Sequence, residues 1–220
     1  MDFRGPLVGL FLAGVAIQAA QGAPFVEKTP YLSAADSPFD TSAGGFYIED
    51  FEDQVLDTPG VTLTSAHGKG LSHCSVDGDD GVIDGSGVNG WSLMSTTSAG
   101  TTGVTFTFDG SVLSGLPQVA GIVVTCAGVD PLVFEAFDAL GTSVGTVVKT
   151  LWLNDPTSDD LFLGVRELGG ISSISLTSGN ALFNLHLDHL QYGPVPEPAT
   201  LGLLALGGLG VLLRRRGSSA

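Results

Sequence analysis

A series of apolar runs of strand length fills the middle of the chain, with glycine-rich segments between them. The run Gly103–Asp109 has the clearest pattern. Val104, Phe106 and Phe108 fall on one face, and threonines fall on the other, as in a strand with one buried face. The remaining runs are Phe46–Glu52, Val119–Cys126, Leu132–Asp138, Val144–Thr150, Asp160–Arg166, Ile171–Leu176 and Phe183–Tyr192. Together they predict an all-β domain, a two-sheet sandwich or jelly roll, with a hairpin turn at residues 139–142.

The charge balance argues against nucleic acid as a partner. The chain has 8 Lys and Arg against 23 Asp and Glu, which gives a formal net charge of −15. Phosphate binding needs clustered basic side chains, and this chain offers few. An acidic surface suits a solvated extracellular protein, and it also suits a protein that attracts divalent cations. The net charge leaves both interpretations open.

The first 22 residues predict a signal peptide. Arg4 gives a basic start, residues 7–17 carry no charge, and the small residues Ala20 and Gly22 fit a cleavage site. Signal peptidase is therefore an expected partner. Residues 23–45 are rich in Ser, Pro and Asp, and we expect them to be a loose lead-in to a domain at residues 46–193.

The end of the chain has three parts in a fixed order. A proline-bounded motif comes first, then an uncharged apolar stretch, residues 199–213, and then a basic cluster. The motif is Val195, Pro196, Glu197 and Pro198, and the cluster is Arg214, Arg215 and Arg216. The uncharged stretch is about 22 Å long as a helix and predicts a single transmembrane segment. The arginines predict a membrane stop, with their side in the cytoplasm and residues 23–197 outside. Residues 217–220 are a short tail.

These three parts, residues 194–216, resemble the PEP-CTERM sorting signal. The resemblance implies export in a bacterium that makes exopolysaccharide. It also implies recognition by an exosortase, a membrane cysteine transpeptidase, so the precursor would be membrane-anchored before reaching the envelope or the exterior. The two prolines would keep the recognised segment extended and separate from the helix. A plain tail anchor with an incidental Pro-Glu-Pro is the alternative.

The middle domain resembles galactose-binding-like jelly-roll domains in three stretches: Ile48–Asp53, Phe162–Val165 and Leu187–Gly193. The resemblance implies that the first and last strands run side by side, where acidic residues hold a structural Ca²⁺ in related modules. The predicted ligands are Glu49, Asp50, Glu52 and Asp188. Strand alternation puts Glu49 on the face opposite Asp50 and Glu52, so only two or three of these can share an ion. A solvated acidic edge that discourages strand addition is the alternative.

Two further segments allow a binding role. Trp91 lies in a glycine-containing stretch, and an indole on a loop can stack on a sugar ring; a core position is the alternative. Residues 77–85 contain four aspartates spaced by glycines, and such a segment can wrap a cation. As an EF-hand this segment fails, because Gly81 and Val88 stand where ligands belong, and a turn explains the same residues.

Nothing in the sequence assembles a catalytic centre. The histidines match no zinc-binding spacing, and no turn of the kind that presents a nucleophilic serine is present. Glu135 and Glu167 are the best-placed candidates for a glycosidase pair, and no pattern couples them. Cys74 and Cys126 form either a disulfide or two buried thiols.

The sequence therefore predicts a non-catalytic exported protein of the envelope or extracellular matrix. We expect association with exopolysaccharide or biofilm, and glycan binding by a Ca²⁺-stiffened sandwich. A secreted polysaccharide hydrolase and a purely structural matrix component are the alternatives.

Overall fold

The fold comes from a computed structural model, which describes residues 24–42, 44–77, 90–153, 160–181 and 184–196. Within these ranges the chain forms eleven β-strands and one short 3₁₀ helix, Ala34–Asp36. The strands are β1 Phe25–Lys28, β2 Tyr47–Glu49, β3 Val61–Ser65, β4 Lys69–Ser72, β5 Ser92–Ser95, β6 Thr102–Phe108, β7 Val119–Asp138, β8 Ser143–Leu153, β9 Leu161–Arg166, β10 Ile171–Ser178 and β11 Leu185–Gly193.

All named strand pairs are antiparallel, and they build two sheets that share β7. The first sheet has the order β4–β5–β11–β7–β9–β1, with β2 beside the second half of β11. The second sheet has the order β3–β6–β10–β7–β8. The first half of β7 pairs with β9 and β11, and the second half with β8 and β10. The predicted all-β, jelly-roll-like sandwich is confirmed.

Strand β7 joins two runs that the sequence separates at Pro131. The predicted runs Val119–Cys126 and Leu132–Asp138 are parts of one strand of 20 residues. The pairing of β7 with β8 shifts in register between Val129 and Leu132. A proline donates no hydrogen bond, so an irregularity is where a strand tolerates it. The chain thus passes from one sheet to the other without a turn.

The main core lies between the two sheets. On β6 the three side chains predicted to share a buried face do so: Val104, Phe106 and Phe108 are 2%, 0% and 5% exposed. They belong to one cluster with apolar side chains from β7, β9, β10 and β11. Each square ångström of apolar surface removed from water contributes about 25 cal/mol, so this cluster is the principal source of stability.

The segment expected to be a loose lead-in packs instead on the outer face of the first sheet. Its strand β1 pairs with β9, and the side chains of Tyr31 and Phe39 are buried. They form a second apolar cluster with Val123 and Phe162, which point away from the main core. Ser and Pro richness suggested a flexible segment, but two aromatic rings provide enough apolar surface to fix it.

The sequence predicts the hairpin turn correctly but does not predict three of the short strands. The turn at residues 139–142 is confirmed, since Phe137 pairs with Ser143 and Gly141 has a φ of 75°. Strands β3, β4 and β5, which have only four or five residues each, are not predicted by the sequence pattern. Such short segments have little pattern of their own and depend on neighbouring strands for pairing.

Cys74 and Cys126 form a disulfide, which resolves the choice between a bridge and two thiols. Their Cα atoms are 6.2 Å apart, and 52 residues separate them in sequence. Cys126 lies on β7, whereas Cys74 follows the edge strand β4. The bridge therefore ties the segment after β4 to the centre of the first sheet.

We expect Gly164→Ala to destabilise the fold by about 1–3 kcal/mol, because it overpacks a buried cluster. A Cβ atom at this position would lie 2.6 Å from Cε1 of Phe162 and 2.9 Å from Cζ of Phe39. Urea denaturation of both proteins measures the difference. Gly44→Ala is the matched control, since its methyl group meets nothing within 4 Å. Equal losses in the two variants would contradict the assignment of the effect to these rings.

Candidate functional site

A bulge in β11 places two polar side chains at buried positions. The pairing of β11 with β7 shifts in register between Asp188 and Gln191, and His189 has a φ of 42°. Leu187 and Leu190 both belong to the main core although they are three residues apart. A bulge inserts the extra residue that this spacing requires. Asp188 and His189 lie between the two leucines and are 0% and 2% exposed.

The carboxylate of Asp188 accepts three hydrogen bonds. Ser75 Oγ and the Val76 N–H each donate to Oδ2 at 2.8 Å, and the His189 N–H donates to Oδ1 at 2.7 Å. Burial raises the pKa of Asp188 to about 7, although the His189 charge and these hydrogen bonds act in the opposite direction. The segment just after the disulfide therefore holds this carboxylate in place.

The imidazole of His189 links Asp77 to Tyr31. Its Nε2 lies 2.8 Å from Oδ2 of Asp77, and its Nδ1 lies 3.3 Å from the Tyr31 hydroxyl. The side chain of His189 is 3% exposed and that of Asp77 is 39% exposed, so the cluster is open to solvent on the side of Asp77. Burial lowers the pKa of His189, but the hydrogen bond with Asp77 and the surrounding negative charges raise it by more. The pKa therefore lies above its usual value.

Tyr31 connects this imidazole to the N-terminal segment. The Tyr31 hydroxyl accepts a hydrogen bond from Nε2 of Gln191 at 2.6 Å, and Ser37 Oγ donates to Oε1 of the same glutamine at 2.5 Å. The Tyr31 ring stacks on Phe162 with 5.8 Å between centroids. Burial raises the pKa of Tyr31, so its hydroxyl stays protonated. The orientation of the His189 ring is therefore fixed by a segment that lies more than 150 residues away in sequence.

Glu49, predicted as a calcium ligand, instead holds a loop. Its carboxylate accepts four hydrogen bonds, which come from the Phe51 N–H, the Asp57 N–H, and both the N–H and the hydroxyl of Thr58, at 3.1–3.2 Å. The residue is only 3% exposed. These donors occupy the directions that a cation would need.

The other predicted ligands have separate surroundings. Asp50 is exposed, and its Oδ1 accepts the Glu52 N–H at 3.1 Å. Oε1 of Glu52 accepts the Trp91 N–H at 2.5 Å and lies 3.4 Å from Ser75 Oγ, which also donates to Asp188. The four carboxylates are thus not assembled around one point. Calcium binding by the protein stays a prediction.

The described residues group a different set, Asp77, Asp188 and His189, which we call the Asp–Asp–His cluster. One ligand atom from each residue lies within 4.8 Å of the other two. Sequence spacing missed this set because 112 residues separate Asp77 from His189. One signal was present: the apolar positions of β11 are 185, 187, 190 and 192, and this change of phase indicates a bulge.

Trp91, the predicted sugar-stacking residue, lies half-buried beside an exposed His73. Their ring centroids are 3.9 Å apart with 41° between the planes. Nδ1 of His73 is bonded to the Gly90 carbonyl at 2.9 Å, and Glu52 accepts the Trp91 N–H. The two rings flank β4 and β5 at the edge of the first sheet. We call this surface the Trp91–His73 surface.

The residues considered for catalysis are not gathered in one place. Glu135 lies on β7 in the second sheet, and Glu167 follows β9 in the first sheet, where its Oε1 accepts the Gly169 N–H at 2.9 Å. The rest of the aspartate-rich segment, residues 78–85, lies outside the described part of the chain.

The predicted sorting motif begins directly at the folded domain. Strand β11 ends at Gly193, and the Val195 N–H donates to Oε1 of Gln118 at 3.0 Å. The Val195 side chain packs on the second apolar cluster. Pro196 is the last described residue before Glu197, Pro198 and the three arginines, which lie outside the described ranges together with residues 1–22. In the ranges that the structure covers, no helix has the length and apolar character needed to span a membrane.

Residues 194–216 match the PEP-CTERM protein-sorting motif, so the chain carries this signal and is an exosortase substrate. The predicted boundaries of the motif are thereby confirmed.

No curated protein matches the sequence. Among solved structures, the enzymatically active domain of bacteriophage CBA120 tailspike protein 4 is similar, with a TM-score of 0.40, 9% identity and coverage of 66% of this chain, which spans 20% of that chain's length. The family 11 carbohydrate-binding module of a Clostridium thermocellum cellulosomal cellulase has a TM-score of 0.33 and 14% identity, with coverage of 71% of this chain and 99% of that one.

Proposed function

We propose that this protein is a non-catalytic component of the cell envelope or extracellular matrix that binds exopolysaccharide through the Trp91–His73 surface. The sorting motif already marks it as an exosortase substrate. Retention in the exopolysaccharide or biofilm layer, after an initial membrane-anchored stage, is the role that this proposal adds.

The pairing of Trp91 with His73 is the observation that carries the proposal. The two ring centroids lie 3.9 Å apart with 41° between the planes, so the rings form a tilted aromatic platform, and the His73 ring is exposed at the edge of a sheet. Sugar rings present polarised C–H groups that stack on such faces, while their hydroxyls need acceptors nearby. The Glu52 carboxylate, bonded to the Trp91 backbone, lies next to the platform and can accept from a sugar hydroxyl.

We expect Trp91→Ala to weaken binding of exopolysaccharide from the native host about twofold to tenfold, which corresponds to the 0.5–1.5 kcal/mol of a typical ring contact. Titration calorimetry with the purified polysaccharide gives the dissociation constants. Leu140→Ala is the control, because Leu140 is 90% exposed at a hairpin tip away from β4 and β5. Binding that is equally strong in both variants would contradict this site.

The same preparation tests the two alternatives. A hydrolase would release reducing ends from the polysaccharide, and Glu135→Gln or Glu167→Gln would abolish that release. A purely structural matrix component would bind no glycan at all, in the wild-type chain as in the variants. Binding without cleavage is the outcome that the proposal requires.

A further inference from the structure

We infer that the Asp–Asp–His cluster is a binding site for a zinc-class divalent cation, with Asp77, Asp188 and His189 as ligands. The inference is independent of glycan binding, since it uses side chains on the outer face of the first sheet rather than the aromatic rings. It also replaces the predicted set of four carboxylates, of which only Asp188 is retained.

The three ligand atoms already lie close to the arrangement that one ion needs. They fall within 4.8 Å of one another, and Nε2 of His189 faces Oδ2 of Asp77 at 2.8 Å. Tetrahedral zinc binds nitrogen and oxygen at about 2.0–2.2 Å, which places the ligand atoms about 3.3–3.6 Å apart. Bringing the three atoms to this spacing takes a shift of about one ångström. Asp77, whose side chain is 39% exposed, is the residue that can move.

The ligand types indicate which ion fits. An imidazole nitrogen suits zinc and similar transition metals, whereas calcium prefers six to eight oxygen ligands. His189 contributes its nitrogen from a buried position, where it is 2% exposed. Glu49, which a calcium site would use, is occupied by four hydrogen bonds.

The surroundings orient the ligands in the way that metal sites require. Metal-bound histidines typically donate through the second ring nitrogen to an acceptor that fixes the ring. Here Nδ1 of His189 faces the Tyr31 hydroxyl, which Gln191 also holds. Ser75 and Val76 orient Asp188 in the same way. His189 and Asp188 are therefore held in place before any ion binds, and Asp77 is the ligand that adjusts.

The charge of the region favours a cation. Two carboxylates face one imidazole, and Glu52 reaches the same Ser75 hydroxyl that bonds Asp188. Asp50 adds a further negative charge near His189. No Lys or Arg is bonded to any cluster member among the described contacts. A divalent ion would balance the excess negative charge, and it could enter from the exposed side of Asp77.

The test uses the full-length, tag-free chain after treatment with a chelator. We expect Zn²⁺ to bind with one-to-one stoichiometry in titration calorimetry and to raise the thermal midpoint, because an ion that binds only the folded state stabilises it. Asp77→Asn should weaken zinc binding by at least about 100-fold, since even losing an outer-shell partner costs 10- to 100-fold. Asp77 is partly exposed, so this variant should fold. X-ray absorption of the bound zinc should show one imidazole nitrogen together with carboxylate oxygens.

Two comparisons keep the result decisive. Asp40→Asn removes an exposed loop carboxylate outside the cluster and should bind zinc as the wild-type chain does. His189→Gln should lose the imidazole signature in the absorption spectrum. Unchanged zinc affinity in Asp77→Asn would overturn the inference, and so would a zinc spectrum without imidazole. Stabilisation by Ca²⁺ alone would also overturn it, in favour of a site built from oxygen ligands.

Discussion

Replacement of Glu197 by alanine will leave the chain exported but block the processing of its C-terminus. The motif that includes this residue begins immediately after the folded domain, where Gln118 and the second apolar cluster hold Val195. The first part of the motif is therefore held against the folded domain. Glu197 is the only charged residue between the domain and the arginine cluster, so its loss removes the principal polar feature for recognition.

Processing is measured by mass spectrometry of the protein recovered from its native host. We expect full-length chains to accumulate in the membrane fraction, with nearly complete loss of the processed form. Glu167→Ala, which removes an acidic side chain from a turn of the folded domain, is the matched control and should be processed normally. Export should continue in both variants, because the predicted signal peptide, residues 1–22, is unchanged. Normal trimming of Glu197→Ala would remove the role assigned to this motif.

The sandwich could be predicted because each strand with one buried face has a local pattern. On β6, Val104, Phe106 and Phe108 alternate with threonines, and no distant contact is needed to identify their shared face. The hairpin turn at residues 139–142 could likewise be predicted from neighbouring residues alone. Strand β7 shows where such reasoning ends: Pro131 predicts a break, whereas pairing with strands on both sheets keeps the chain extended through it.

The candidate site depends on contacts that no local pattern contains. Asp188 was selected from sequence, but its partners Ser75 and Asp77 lie on another segment, and Tyr31 comes from one expected to be loose. The spacing of apolar residues in β11 indicates the bulge. That the bulge brings Asp188 and His189 close to Asp77 is seen only in the folded structure. Glu49, predicted as a cation ligand, accepts hydrogen bonds from backbone N–H groups, and the local sequence does not reveal these contacts.

Removal of the disulfide is expected to cost about 4 kcal/mol of unfolding free energy, from the chain-entropy relation for a loop of 52 residues. That is a large share of the 5–15 kcal/mol that typically stabilises a domain. The disulfide should stabilise the protein mainly by restricting the conformations of the unfolded chain. Independent contacts hold the segment after Cys74 in the folded state, since Thr125 Oγ1 donates to the Cys74 carbonyl at 2.6 Å and Val76 donates to Asp188.

Denaturation by urea of the oxidised wild-type chain and of the double variant Cys74→Ala/Cys126→Ala measures this difference. The reduced wild-type chain is the matched control and should unfold near the variant, because both lack the same constraint. Near-equal midpoints for the oxidised chain and the variant would show that other contacts already restrict the unfolded chain. Cys74 directly precedes the segment 75–77, which contacts Asp188 and supplies Asp77. If this segment needs the disulfide to stay in place, the double variant should also bind zinc more weakly. Unchanged zinc affinity would assign that placement to the hydrogen bonds of Asp188 alone.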